Sequence, residues 1–266
     1  MIDMSFYHQN GYQIIKKVFP RAIIEKIRQF LEAEKDKSLE LIRKSVDFKS
    51  LDDLISKISS IFNNEEAFKA LDPNLKNMLC GHFDLETRLN PILHSIPKTP
   101  IVQEIYHQIL PNQEPRMHLP PTARFVLPRN IYSAVPAHQD ISYNKHVEDF
   151  FVIWVPYCKI DDECGGVIVH KDTGSLPEQL SNLDRKFWLQ GIPDLGYEKI
   201  HCKMDAGDAL LLNKWVIHES AGNTSNRIRY SSDFRFFCGH SSKHYLDMNT
   251  WKTVAPSLLP AYTQTT

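Results

Sequence analysis

Apolar residues downstream of Pro20 recur at spacings of three and four. Ile23, Ile24, Ile27, Phe30 and Leu31 form one stripe, which predicts a helix with Pro20 in its first turn. Ser50 and Asp53 read as a capping box ahead of a second stripe, Leu51, Leu54, Ile55, Ile58, Ile61 and Phe62. A third helix is expected from Thr99-Pro100, carrying Ile101, Val102, Ile105, Tyr106 and Leu110. Stripes of this width pack a core. After residue 120 the period shortens: residues 123–127, 150–157, 166–169, 209–213, 215–218 and 228–237 are short apolar or alternating runs rich in Val, Ile, Phe, Trp and Tyr. Turn formers separate them, as in Pro128-Arg129-Asn130, Asp161-Asp162, Ala206-Gly207-Asp208 and Gly222-Asn223. No helical pattern alternates with these runs, so crossovers of a parallel sheet are not expected. The pattern predicts an antiparallel sandwich or jelly roll buttressed by N-terminal helices. A single domain over residues 1–266 is expected, helical to about residue 120 and a jelly-roll core over about 121–240.

Composition narrows the function classes. With 42% hydrophobic residues and 31 Lys plus Arg against 32 Asp plus Glu, the chain is neither disordered nor able to gather nucleic acid or anionic lipid by a long-range field. Five cysteines, Cys80, Cys158, Cys164, Cys202 and Cys238, contain no Cys-x-x-Cys pair, which suits a reducing compartment better than a disulfide framework or thiolate zinc site. Residues 1–10 lack the basic stretch and apolar run of a signal peptide, and the longest apolar run, residues 150–157, is too short to span a bilayer. The expectation is a cytoplasmic protein whose partner is a small molecule.

His138-Gln139-Asp140 places an imidazole and a carboxylate two residues apart, on one face if the segment is extended, and His218 ends the run Trp215-Val216-Ile217. Two imidazoles and one carboxylate on one side of a metal make the facial triad of non-heme Fe(II) oxygenases, with positions left open for a co-substrate and O2. His170-Lys171-Asp172 is a competing pair. A jelly roll threads several strands between its first and last ligands; about four strand-like runs fit after Asp140 and about two after Asp172, which favours the first pair. If Asn223 and Thr224 form a hairpin tip, His218 faces Arg229 and Ser220 faces Arg227 across two strands. A cation and a hydroxyl beside the metal could hold the distal carboxylate of 2-oxoglutarate. Arg227 and Arg235 share that strand face, and an arginine there is no mark of a site by itself. Asn223-Thr224-Ser225 matches a glycosylation sequon, which a cytoplasmic chain never uses.

These residues carry a resemblance. His138-Gln139-Asp140, then Trp154, then Ala206-Gly207-Asp208, then His218-Glu219-Ser220-Ala221-Gly222-Asn223 and Arg229, with the opening Phe6, Gly11-Tyr12 and Val18-Phe19, resemble the phytanoyl-CoA dioxygenase family of Fe(II)/2-oxoglutarate oxygenases over most of the chain, least over residues 35–110. The resemblance implies a double-stranded β-helix of the cupin-like, jelly-roll kind. It implies His138, Asp140 and His218 as iron ligands and catalytic residues, Arg229 and Ser220 on the C5 carboxylate of 2-oxoglutarate, and Trp154 lining that pocket. Arg124, on the strand before the metal pair, is a further candidate contact to the co-substrate. Tyr143, in the polar stretch Tyr143-Asn144-Lys145-His146, is a candidate substrate contact on a loop at the barrel mouth. The implied reaction consumes O2, decarboxylates 2-oxoglutarate to succinate and CO2, and oxidises, by default hydroxylates, a small organic molecule. One departure is plain: His170-Lys171-Asp172-Thr173-Gly174-Ser175 stands where the family has Pro-Gly-Ser-His, so an acyl-CoA substrate is not implied. Two alternatives are a cupin-like metal isomerase or lyase that uses no keto acid, and a non-catalytic β-sandwich binding module with a structural ion.

Overall fold

Alternation along four central strands decides which side chains face the helices and which face the interior of the sandwich. The computed structural model describes residues 2–179, 191–239 and 241–255. Its helices are α1 (Met4–Asn10), α2 (Arg21–Arg43), α3 (Leu51–Phe62), α4 (Glu65–Ala70), α5 (Pro73–Leu79), α6 (Leu85–Leu89) and α7 (Pro100–Ile109). Its strands are β1 (Tyr12–Ile15), β2 (Arg116–His118), β3 (Thr122–Val126), β4 (Asp149–Pro156), β5 (Gly166–His170), β6 (Lys199–His201), β7 (Ala209–Asn213), β8 (His218–Ala221), β9 (Arg229–Cys238), β10 (Tyr245–Asp247) and β11 (Lys252–Val254). The large sheet runs β1-β7-β4-β9-β2-β10-β11 with β3 also paired to β9, and the small sheet runs β6-β5-β8. The pairings are antiparallel, as the absence of crossover helices predicts. This is the double-stranded β-helix expected from the sequence, a mostly β jelly roll with helices on its outer face.

On the large sheet, Ala123 and Phe125 of β3, Phe151, Ile153 and Val155 of β4, Ala209 and Leu211 of β7, and Phe234 and Phe236 of β9 join the helices in one core. Residues of the other parity, among them Phe150, Val152, Trp154, Leu210 and Leu212, pack with Val167 and Val169 of the small sheet. Helix α2 buries Ile24, Ile27 and Leu31 against the first core, and α3 buries Leu54, Ile58 and Phe62. Each such side chain contributes roughly 1.5–3 kcal/mol relative to exposure. Ser50 caps α3 by accepting from the Asp53 amide at 3.2 Å, while Asp53 accepts from the Lys49 amide and not from Ser50, a capping box displaced by one residue. Among the described residues no helix is long and apolar enough to cross a membrane.

Two expectations are corrected. Residues 215–218 are not a strand: Asn213 Oδ1 accepts from the Trp215 and Val216 amides at 3.0 and 2.8 Å, an Asx turn that carries the chain from the large sheet to the small one, and β8 begins at His218. The hairpin pairing His218 with Arg229 does not form. In the observed register His218 opposes Val169 and Ser220 opposes Val167 on β5, whereas Arg229 opposes Val126 on β3. The connection between β8 and β9 is held by other bonds than a ladder. The Asn223 side chain donates to Val126 O at 3.0 Å and Arg227 O at 2.7 Å, and the Thr224 amide donates to Glu163 O at 2.8 Å. A buried Asn223 with both amide hydrogens engaged is closed to glycosylation in the folded protein.

Candidate active site

Where the two sheets meet, His138 and His218 exchange main-chain hydrogen bonds of 2.9 and 3.0 Å, which sets their rings side by side with centroids 4.2 Å apart. Each ring has Nδ1 against the carbonyl two residues before it, Pro136 O at 2.8 Å for His138 and Val216 O at 3.0 Å for His218. That bond assigns the proton to Nδ1 and leaves Nε2 as a lone-pair donor facing the cavity. Gln139 between the two outer residues is buried, giving Nε2–H to Trp215 O at 2.7 Å and accepting from the Gln179 amide at 2.7 Å. The backbone at Gln139 is extended, so His138 and Asp140 project together, and Asp140 opens a 3-10 turn over Asp140–Tyr143. One donor atom from each of His138, Asp140 and His218 lies within 4.8 Å of the others, the one such cluster of three among the described residues.

Electrostatics prepares this cluster for a cation. Burial pushes the His138 imidazole down to about 3, helped by the neighbouring His218, so it is neutral at physiological pH. Burial alone raises the Asp140 carboxyl, but Arg235 and the two imidazoles outweigh it and hold it below the ordinary carboxylate range. A neutral His138 and an ionised Asp140 are in the protonation states that metal ligation requires.

The cluster opens into a cavity of about 320 Å³ lined by both sheets. Its wall includes Trp154, Val152, Leu212, Gly166, Ser220 and Arg229. Arg229 is 2% exposed, its Nη1 donates to Gly166 O at a long 3.5 Å, its Nε has no partner, and it makes no ion pair among the described residues. Burial pushes its guanidinium down to about 10, with Arg124 nearby adding to the effect. A buried cation without a counter-ion is costly in isolation, and an anionic guest removes that cost. Arg124 also lines the cavity; it is held by Cys80 O at 2.8 Å and by Ser133 O, with Nε unpartnered. Tyr143 stands at the mouth, 44% exposed, its ring edge-on to His138 with centroids 5.4 Å apart. Thus Arg229 and Ser220 share the cavity from opposite sheets, not as neighbours of one hairpin.

The competing pair is separated. Buried His170 turns its Nε2 to Glu219 Oε1 at 3.2 Å, while Asp172 sits exposed at a turn with φ of 61°. The segment that departs from the family pattern is a packed turn. Thr173 Oγ1 donates to His170 O and accepts from the Ile217 amide, and Gly174 lies so close to Gly11 that a Cβ would stand 2.5 Å from the Gly11 Cα.

Part of the cavity wall went unread in the sequence. Asn77, His82, Thr122, Asp233 and Arg235 line it. The strand residues had a signal, because Arg229, Ser231, Asp233 and Arg235 share one parity of β9 and alternate with Tyr230, Phe234 and Phe236 of the helix-side core. Asn77 and His82 had none. They arrive through the close approach of residues 81–83 to β3, where the Phe125 amide donates to Gly81 O at 2.8 Å and a Cβ at Gly81 would meet Phe125 O at 2.9 Å. Arg227, by contrast, is outside the cavity and pairs with Asp161 at 2.7 Å.

Comparison with known proteins agrees with this geometry. Residues 7–231 match the family described as phytanoyl-CoA dioxygenase (PhyH). Among solved structures, the chain is similar to the non-heme alpha-ketoglutarate-dependent carbocyclase SnoK from nogalamycin biosynthesis, at 14% identity and a TM-score of 0.57, with 91% of this chain and 86% of that one covered. It is similar to the epimerase SnoN in complex with Fe3+, alpha-ketoglutarate and nogalamycin RO, at 11% identity and a TM-score of 0.58 over 90% and 83% of the two chains. EvdO2 from Micromonospora carbonacea var. aurantiaca, complexed with 2-oxoglutarate, matches at 14% identity and a TM-score of 0.59 over 89% and 90%.

Proposed function

The chain belongs to the phytanoyl-CoA dioxygenase family, and from that premise we propose that it is a non-heme Fe(II), 2-oxoglutarate-dependent dioxygenase that hydroxylates a C–H bond of a small organic substrate. The observation that carries the reading is the pairing of two features in one cavity. His138, Asp140 and His218 converge on a metal-sized space, and Arg229 is buried there with no carboxylate partner among the described residues. His138, Asp140 and His218 would hold the iron through two imidazole Nε2 atoms and one carboxylate oxygen. When bound, the iron supplies O2 activation coupled to decarboxylation of 2-oxoglutarate to succinate and CO2. The chain's own part is positioning. Arg229 takes the C5 carboxylate in a charge-assisted bond and Ser220 adds a hydroxyl from the other sheet, while Arg124 contributes a second positive charge. Trp154, Val152 and Leu212 add apolar wall that limits water in the cavity, and Tyr143 contacts the substrate where it enters. The departure at residues 170–175 and a cavity of about 320 Å³, part of which the keto acid fills, support a small substrate over an acyl-CoA. Five free cysteines fit a reducing, cytoplasmic setting. The test is an anaerobic titration of Fe(II)-loaded protein with 2-oxoglutarate, following the iron-to-keto-acid charge-transfer absorbance. Saturable appearance of the band, followed by succinate formation on admitting O2, is expected. Metal binding without the band would favour an isomerase, lyase or binding module on the same barrel.

A further inference from the structure

The two oxygens of Asp140 have different neighbours. Oδ2 faces His218 Nε2 at 3.8 Å, within the metal cluster, while Oδ1 accepts from Arg235 Nη2 at 3.3 Å. The same guanidinium donates through Nη1 to Asp233 Oδ1 at 2.8 Å and, more weakly, to Thr122 Oγ1 at 3.4 Å. Thr122, Asp233 and Trp154 oppose one another in a row across β3, β9 and β4, so the tether is part of the sheet itself. We propose that Arg235 is a positioning residue that keeps Asp140 coordinating through one oxygen, and that Asp233 fixes the guanidinium in the orientation this requires. The inference rests on the reading of His138, Asp140 and His218 as the metal ligands.

The reason lies in the count of coordination positions. A three-ligand facial set leaves three positions open, of which a chelating keto acid takes two and O2 the last. An aspartate carboxylate turns easily about its last bond, because that torsion is broad and roughly two-fold, and it can then offer both oxygens to one ion. A second oxygen on the metal would occupy a position the reaction needs. Arg235 engages Oδ1 through Nη2 while Asp233 holds Nη1 of the same planar group, which makes that rotation unfavourable. A guanidinium beside a dication would by itself weaken metal binding. Asp233 offsets its charge, so the Asp140–Arg235–Asp233 chain is still anionic by one unit. This also explains why this cation of the cavity wall is bracketed by carboxylates and not left for an anion.

The experiment uses Co(II) as the probe, in protein free of keto acid and substrate, with affinity measured by titration and coordination by the visible absorption of the bound ion. Arg235→Met should change the spectrum, as the carboxylate rotates toward two-oxygen coordination, and should tighten Co(II) binding on the order of tenfold, because a cation beside the ion is lost and a second oxygen is gained. Asp233→Asn, which loosens the fork but also removes a carboxylate charge, should shift the spectrum in the same direction by less, and Thr122→Val, which removes only the long contact, should leave both spectrum and affinity near wild type. If Arg235→Met does not fold, Arg235→Lys decides. It keeps the charge but loses the fork, so it should restore folding and still show the altered spectrum. Wild-type affinity within about twofold and a wild-type spectrum in either Arg235 variant would overturn the proposal, and Arg235 would then be a substrate contact or a structural cation. His138→Ala separates this from the underlying reading. If it leaves Co(II) binding intact the ligand assignment fails, whereas loss of binding there with an unperturbed Arg235 variant rejects the positioning role alone.

Discussion

Arg229 and Arg235 stand six residues apart on one face of β9, both in the wall of the same cavity, and their surroundings are opposite. Strand rise separates their Cα atoms by about 20 Å. Arg229 is buried with no ion pair among the described residues, and burial depresses its guanidinium to about 10. Burial also works against the charge of Arg235, but Asp233 and Asp140 outweigh it and hold that guanidinium above its ordinary range. A cation left uncompensated marks a place where an anion is brought in. A cation already flanked by carboxylates holds part of the protein in place. Sequence reasoning treats the two alike, because both are arginines of one parity on one strand.

The largest expected effect removes the metal on which both readings depend. His138→Ala or His218→Ala should abolish iron binding and 2-oxoglutarate turnover while the circular dichroism and melting temperature stay close to wild type, because the rings line a cavity and not the apolar cores. A variant that keeps stoichiometric iron would dissolve the comparison at its root.

Next comes the co-substrate end. Arg229→Ala should raise the 2-oxoglutarate requirement by the equivalent of about 2–5 kcal/mol, with iron stoichiometry unchanged, since it removes the counter-charge to the distal carboxylate. Pyruvate, which has no distal carboxylate, should support wild-type turnover poorly and discriminate little between wild type and this variant. Ser220→Ala removes one neutral donor and should cost less, about 1.5–3 kcal/mol. An unchanged 2-oxoglutarate dependence in Arg229→Ala would place the co-substrate elsewhere.

The comparison is sharpest in the apo-protein, where the same substitution should act with opposite sign at the two positions. The folded state depresses the basicity of Arg229 below that of the unfolded chain, so its charge is a penalty at every pH below about 10, fading as the pH rises from there toward the unfolded value. Arg229→Met should therefore stabilise the metal-free, keto-acid-free protein at neutral pH by about 1–3 kcal/mol. Arg235→Met leaves Asp140 and Asp233 without their cation. It should destabilise by about 2–3 kcal/mol, less than the cost of breaking a fully buried pair. Chemical denaturation of both variants checks this, and two changes of the same sign would mean that the environments differ less than their partners suggest.

Much of the site was legible in sequence because it depends on local spacing. His138 and Asp140 project together through one extended residue, and four strands, β4 to β7, separate them from His218, matching the strand count that favoured the first His-x-Asp pair. Arg229 was placed beside the metal by a hairpin that does not exist; it reaches the cavity because β9 lies in the sheet facing β8. Short side-chain bonds to the main chain, such as those of Asn213 and Asn223, decide where the chain changes sheets, and no periodicity reports them. The wall formed by Asn77 and His82 was illegible for the same kind of reason, since only the approach of residues 81–83 to β3 brings it to the cavity.

The smallest effect tests whether the second His-x-Asp pair is as uninvolved as its geometry indicates. His170 bonds Glu219 at 3.2 Å and Lys199 bonds the same carboxylate at 2.9 Å. His170 in the first place, against the opposing effect of burial and with help from Lys199, lowers the Glu219 carboxyl to about 2. His170→Ala and Asp172→Ala should both keep full iron. His170→Ala should lose about 1 kcal/mol of stability at neutral pH, the scale of one hydrogen bond to a half-exposed charged group. The sign of its pH dependence follows from the depressed carboxyl. Stability from Glu219 is fully present above the ordinary glutamate value near 4.5 and is lost as the pH falls toward about 2, so wild type and His170→Ala should converge over that interval. Differential scanning calorimetry across that range measures the convergence. Iron lost from His170→Ala but retained in His138→Ala would show that the metal belongs to the other pair, and that the contrast between Arg229 and Arg235 describes a cavity with no metal in it.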